Sequence, residues 1–218
     1  MPERQFTALL FGLSGCLVDH GARTLAIALQ HSGLNQRPQR LEPMLGALQA
    51  SADECAEPLP GVEELLADLR QQQLSFAWLD DLPDSVARRL ASPLPNGTPG
   101  QTLNGSRPWP APDSIWHCLS GLRVEQLDGC VLIASEPRLL QAGLNAGLWC
   151  IGLATCGPLC GLALGDWQAL AAGEREKLRA QATLELYRLG AHSVIDHPGE
   201  LPACLLDLAT RRGKGEKP

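Results

Sequence analysis

The sequence predicts an α/β fold, a doubly wound parallel sheet, and three observations carry that prediction. Short continuous apolar runs recur along the 218 residues, and each is closed by Gly, Asp or Ser. Segments with apolar residues at helical spacing separate them. The runs show no polar alternation, so each is a strand covered on both faces, which is the signature of a parallel sheet between helical layers.

The first run, FTALLFGLSGCLVD at 6–19, is too short to cross a bilayer and reads as a buried strand emptying into a loop at Gly12, Leu13, Ser14, Gly15 and Cys16. In open α/β sheets ligands sit outside the carboxyl ends of the strands, so this loop is the first place to look for function. Glu3 before the run, and Asp19-His20 where small cleavage-site residues belong, argue against a secretory leader. A cytoplasmic protein is the expectation.

Residues 20–57 form an insertion of two or three short helices, with Leu25, Ala28 and Leu29 and then Leu41, Leu45 and Leu48 on helical spacing, broken by Gly33, Pro38 and Pro43. VEELLADLRQQ at 62–72 is amphipathic, with Leu65, Leu66 and Leu69 on one stripe. The run 74–79 is a second strand, ending at Asp80-Asp81, and Asp84 is placed to cap a helix at 85–90. Residues 92–112 are dense in Pro, Gly, Asn and Ser and read as a long connection with a short strand at 101–103. A helix at 113–122, a strand at 129–134, a helix at 138–146 and a strand at 148–154 follow. After a loop at 157–165 come a long helix at 167–189, a last strand at 193–196 and a last helix at 201–212. The organisation expected is a core of 1–19 and 58–212, the insertion of 20–57, and a charged disordered tail at 213–218.

A net charge of -6 with only three lysines, Lys177, Lys214 and Lys217, leaves no basic surface for nucleic acid. No later segment is long enough to span a membrane. The eight cysteines lie mostly within apolar runs, as in GCVLIA and LWCIGLA, and are expected as reduced core thiols. Cys156 and Cys160 have zinc-like spacing without a second ligand pair, so no metal is expected there.

Several segments fall in a familiar order: FGLSGCLVD, PLPGVEELLADLRQQQ, GSRPWPAPD, GCVLIAS, GLNAGLWCIGLATCG and GAHSVIDHPGELPACLLDLATRR. Together they resemble the haloacid dehalogenase superfamily of phosphotransferases and, within it, the phosphonoacetaldehyde hydrolases. The resemblance implies a first-strand loop Asp-x-Asp-Gly-Thr, with a nucleophilic Asp, an acid/base Asp and Mg2+ bound with acids after the fourth strand. Covalent phosphoryl transfer needs such a nucleophilic oxygen and a hard cation. On this pattern the nucleophile falls on Gly12, the acid/base on Ser14, the Thr on Cys16 and the metal-binding Asp on Ser135. The phosphate-holding hydroxyl falls on Asp80 and a further acid on Leu139, while Glu136 supplies one carboxylate and Arg107 the phosphate-neutralising cation. The Schiff-base lysine of the family's cap has no counterpart, since 20–57 contains no Lys.

Ligand contacts are therefore expected from Ser14, Cys16, Asp80, Arg107 and Glu136, with no catalytic carboxylates, no metal ligands and no cofactor. Cys16 is weighed as a nucleophile and reads better as a semi-buried thiol. Asp80-Asp81 with Glu136 is weighed as a cation site and reads better as a solvated loop. His117 and Cys118, on a helix after Trp116, are expected to pack, Trp109 to anchor its loop or line the pocket, and His192 to make structural hydrogen bonds. Two function classes remain open. One is a binding or regulatory protein that has lost phosphoryl transfer, takes a small anionic ligand and forms a homodimer or pairs with an active relative. The other is a hydrolase of phosphonates or phosphate esters working through other residues.

Overall fold

The computed structural model describes residues 6–103 and 105–218. Glu3, the first five residues of the expected core, and Asn104 in the long connection lie outside the described residues. Six strands form one parallel sheet in the order β3-β2-β1-β4-β5-β6: β1 (Ala8–Gly12), β2 (Ser75–Asp80), β3 (Gly100–Thr102), β4 (Cys130–Ala134), β5 (Trp149–Leu153) and β6 (Ser193–Ile195). In the centre, Leu10 lies level with Ala77 of β2 and Leu132 of β4.

Successive side chains of a strand point to opposite faces, and the apolar runs supply both. Leu9, Phe11, Val131, Ile133 and Ile151 face one layer, built from α1 (Thr24–His31), α2 (Leu45–Cys55), α3 (Val62–Gln71), α4 (Asp84–Leu90) and α9 (Leu201–Gly213). Ala8, Leu10, Leu132, Ala134 and Cys150 face the other, built from α5 (Asp113–Gly121), α6 (Pro137–Asn145) and α8 (Ala172–Arg188). The helix stripes fit these faces. Val62, Leu65, Leu66 and Leu69 of α3 are all buried, each contributing roughly 2 kcal/mol of transfer free energy.

The insertion is not a separate lobe. Ala28 of α1 and Leu48 and Ala52 of α2 belong to the same apolar cluster as Leu9 and Phe11. Buried Asp19 fixes where α1 begins, its carboxylate accepting from Arg23 N (2.9 Å), Thr24 N (2.9 Å) and Thr24 Oγ1 (2.8 Å). The loop before it is tied down as well: Gly21 N donates to the Cys156 carbonyl at 2.7 Å and His20 Nδ1 to the Leu162 carbonyl at 2.8 Å.

Three local expectations change. The long helix expected at 167–189 is two: α7 (Leu164–Ala169) and α8, separated by extended backbone at Leu170 and Ala171. Buried apolar contacts explain the break, because α8 buries Ala182 and Leu186 while α7 buries nothing, so no common stripe holds them in line. Asp84 does not cap α4 from outside; extended Pro83 precedes the helix and Asp84 sits in its first turn, 2.7 Å from Arg88. The last helix runs to Gly213, into the stretch expected as tail, and Glu216 pairs with Arg211 at 2.8 Å.

All eight cysteines are free thiols, seven of them buried. Burial pushes the Cys118 and Cys150 thiols up to about 12, as for small core hydrophobes. His192 makes the structural bond expected of it: Cys150 N donates to His192 Nδ1 at 2.9 Å, and the ring tilts against Trp149 with centroids 4.7 Å apart. Among the described residues no helix is long and apolar enough to cross a membrane.

Candidate functional site

The strand order reverses direction between β1 and β4, so the loops after these two strands leave on opposite sides and open a crevice at their carboxyl ends. A cavity of about 230 Å³ occupies that crevice. The last residues of β1 and β2, Gly12 and Asp80, line it with Ser14, Asp81 and Glu136 from the loops after β1, β2 and β4 and Leu139 from α6, and α1 roofs it with Leu25, Ala26 and Leu29. A larger surface depression of about 800 Å³ beside Phe6, Asp128 and Arg212 lies at the amino ends of the strands, away from Ser14 and Ser135.

Asp80 ends β2 and is 5% exposed. Its Oδ2 accepts from Ser14 Oγ at 3.0 Å and Ser14 N at 3.4 Å, and its Oδ1 accepts from Leu82 N at 2.8 Å. Burial, helped by the neighbouring Asp81 charge, pushes this carboxyl up to about 7 despite those donors. Glu136 precedes α6 and accepts from Arg138 N at 3.2 Å; burial raises its carboxyl too.

Two arginines meet at Asp81, and reading the sequence missed both. Arg37, from the insertion, reaches the Asp81 carboxylate at 2.8 Å and donates to the Asp81 carbonyl at 3.1 Å. Arg138, from α6, reaches the same carboxylate at 3.2 Å and donates to the Trp109 carbonyl at 2.7 Å. Asp81 is thus an anchor for the insertion and α6, not the solvated loop residue expected. Arg37→Ala is expected to cost about 1 kcal/mol, because Arg37 is still partly solvated and Arg138 still holds Asp81; a double-mutant cycle with Asp81→Ala measures it.

Around Gly12 the packing is apolar. A Cβ placed there would stand 3.2 Å from both Leu139 Cδ2 and Cys16 Sγ, and Leu139 and Cys16 are each 1% exposed. Cys16 contacts Ser135 Oγ at 3.5 Å and does not line the cavity. Burial pushes its thiol up to about 12, the opposite of a nucleophilic thiolate. Ser135 Oγ donates to the Ser14 carbonyl at 3.4 Å.

The expected residues are therefore only partly gathered. Ser14, Asp80 and Glu136 share the cavity, and Cys16 and Ser135 lie beneath it. Arg107 lies outside: its side chain is 72% exposed and pairs with Asp113 at 3.0 Å, because the acidic first turn of α5 follows six residues later in the same loop. Trp109 lines the cavity and also anchors its loop, donating from Nε1 to Ser114 Oγ at 3.0 Å. The packing expected of His117 and Cys118 is found for Cys118, which is buried, and not for His117. His117 is exposed and meets Ser106 Oγ at 3.1 Å, and Trp116 is 48% exposed, since α5 turns Ile115, Cys118 and Leu119 inward instead.

The resemblance implies Mg2+, and the donor set does not fit it. Asp81 is engaged by two guanidinium groups, Asp80 by Ser14 and Leu82, and Ser135 is a hydroxyl. Among the described residues no group of three or more His, Cys, Asp or Glu is placed to hold a metal ion.

No family model matches the chain. Phosphonoacetaldehyde hydrolase from Bordetella pertussis is 30% identical over 172 residues, 76% of this chain. The chain spans 62% of the length of that relative. One crystal structure is 51% identical, with 98% of this chain and 100% of that chain covered and a TM-score of 0.82. The crystal structure of the phosphonoacetaldehyde hydrolase-like protein from Oleispira antarctica is 21% identical, covers 99% and 96% of the two chains, and superposes with a TM-score of 0.88. That last likeness concerns the fold. The sheet order, the crevice after β1 and β4 and these relatives agree, and the chain belongs to the haloacid dehalogenase superfamily as a phosphonatase-like member.

Proposed function

We propose that this chain is a phosphonatase-like binding protein that has lost phosphoryl transfer and acts in the cytoplasm in a regulatory role, without Mg2+. The observation that carries this reading is the apolar packing at the end of β1. Leu139 and Cys16 crowd Gly12, so the Cβ of an attacking carboxylate there would meet both at 3.2 Å. Phosphoryl transfer would need an oxygen nucleophile in line with phosphorus and a cation to spread the equatorial charge. Here Gly12 offers no side chain, Ser14 is bonded to Asp80, and Asp80 sets a carboxyl where an anion would have to be held. Each missing group corresponds to several kcal/mol of transition-state stabilisation, so the losses together leave no partial rescue by a neighbour.

Ligand linkage tests this reading without assuming a substrate. A group that binds only the folded state raises the melting temperature by mass action. Millimolar Mg2+ and millimolar phosphate, separately and together, are expected to leave the melting temperature of the chain unchanged. A rise that requires both would mean a retained phosphotransferase site and would overturn the proposal.

A further inference from the structure

The same crevice specifies what it can hold, and this inference rests on reading it as a binding site without phosphoryl transfer. Its wall is mostly aliphatic: Leu13, Leu25, Leu29, Leu79, Leu82 and Leu139 all line it. At about 230 Å³ it is larger than a cavity of roughly 150 Å³ that takes benzene and smaller than the roughly 300 Å³ where drug-sized pockets begin. The occupant is therefore a small molecule with an apolar body.

The polar groups narrow it further. The guanidinium that faces the cavity, Arg37, is spent on the Asp81 carboxylate and carbonyl. Arg138 is spent on Asp81 and the Trp109 carbonyl, and Arg107 is turned out to Asp113. The carboxyls of Asp80 and Glu136 are then the acids of the cavity lining that make no ion pair, Glu136 feeling Arg138 and Arg37 only through space. Glu136 commits one oxygen, Oε1, to Arg138 N, and its other oxygen has no hydrogen-bond partner among the described residues. Each carboxylate oxygen accepts about two hydrogen bonds, and an ammonium group brings three donors and no acceptor. An anion in the same place would face two carboxyls of its own sign.

We propose that the crevice binds a small apolar molecule bearing an ammonium group, its charge met by Asp80 and Glu136 and its body packed on the leucine wall. Three probes with one apolar body separate the alternatives: hexylamine, hexanol and hexanoate, titrated calorimetrically into the full chain at about pH 8, where the amine is an ammonium. Hexylamine is expected to bind at least about tenfold more tightly than hexanol, and hexanoate more weakly than hexanol. Glu136→Gln keeps the acceptor for Arg138 N and Asp80→Asn keeps the side-chain shape. Each is expected to remove most of the amine's advantage over hexanol. Hexanoate binding as tightly as hexylamine, or no binding of any probe, would overturn the proposal. Turnover of a phosphate ester would instead overturn the reading beneath it while leaving hexylamine binding in place, so the two failures are separable.

Discussion

Asp80→Asn flattens a fall in stability that the wild-type chain suffers between pH 3.8 and about pH 7. The folded chain holds the Asp80 proton up to about pH 7, because burial opposes its charge, while the unfolded chain releases it near the ordinary value of 3.8. Across that window the folded state binds more protons than the unfolded state, so stability is full below it and is lost as pH rises through it. The loss approaches about 4 kcal/mol over the whole window as an upper bound. Glu136 and Asp19 are raised by burial and act in the same sense, whereas His20 and His192 are lowered by burial and act in the opposite one. The difference between wild type and variant cancels those groups and isolates Asp80. Urea midpoints at about pH 5 and about pH 8 should show Asp80→Asn gaining on wild type at the higher pH. Parallel profiles would mean that Asp80 is not buried as described.

Gly15→Ala is expected to cost about 3 kcal/mol or more, because it combines a left-handed backbone with a clash. Gly15 has φ of 69°, and a Cβ there would stand 2.6 Å from Ser135 Oγ and 2.8 Å from the Cys156 carbonyl oxygen. The carbonyl is backbone and has no rotamer to escape into. Gly61→Ala serves as the comparison: its φ is 81°, but nothing lies within 4 Å, so only the left-handed conformation costs, about 1 to 2 kcal/mol. Equal losses in urea titrations would show that the turn after β1 is not packed against the loops after β4 and β5.

The sheet was legible in the sequence because every strand but the two edge ones is an apolar run buried on both faces, and such runs need no partner to be recognised. The break at Leu170 and Ala171 was not legible, because it follows from which turns of the segment reach the sheet. The site divides in the same way. Ser14 and Glu136 each sit two residues past a strand and Asp80 ends one, where the topology alone brings them together. Arg37 lies in the irregular loop between α1 and α2, directly before Pro38, and only the folded chain carries it to Asp81. Arg138 had a local signal that was passed over, since it follows Ser135, Glu136 and Pro137 at the start of α6. Arg107 shows the converse: likeness of the GSRPWP segment assigned it to the crevice, and the carboxylate of Asp113 holds it outside.

The most direct test of the account is the rate of phosphate release from phosphonoacetaldehyde and from a generic phosphate ester, with and without millimolar Mg2+. Release at the rate of the protein-free reaction is expected in every arm, unchanged by Arg107→Ala. Mg2+-dependent release above that background would contradict it, and would mean that side chains other than those at Gly12, Ser14 and Ser135 perform the transfer.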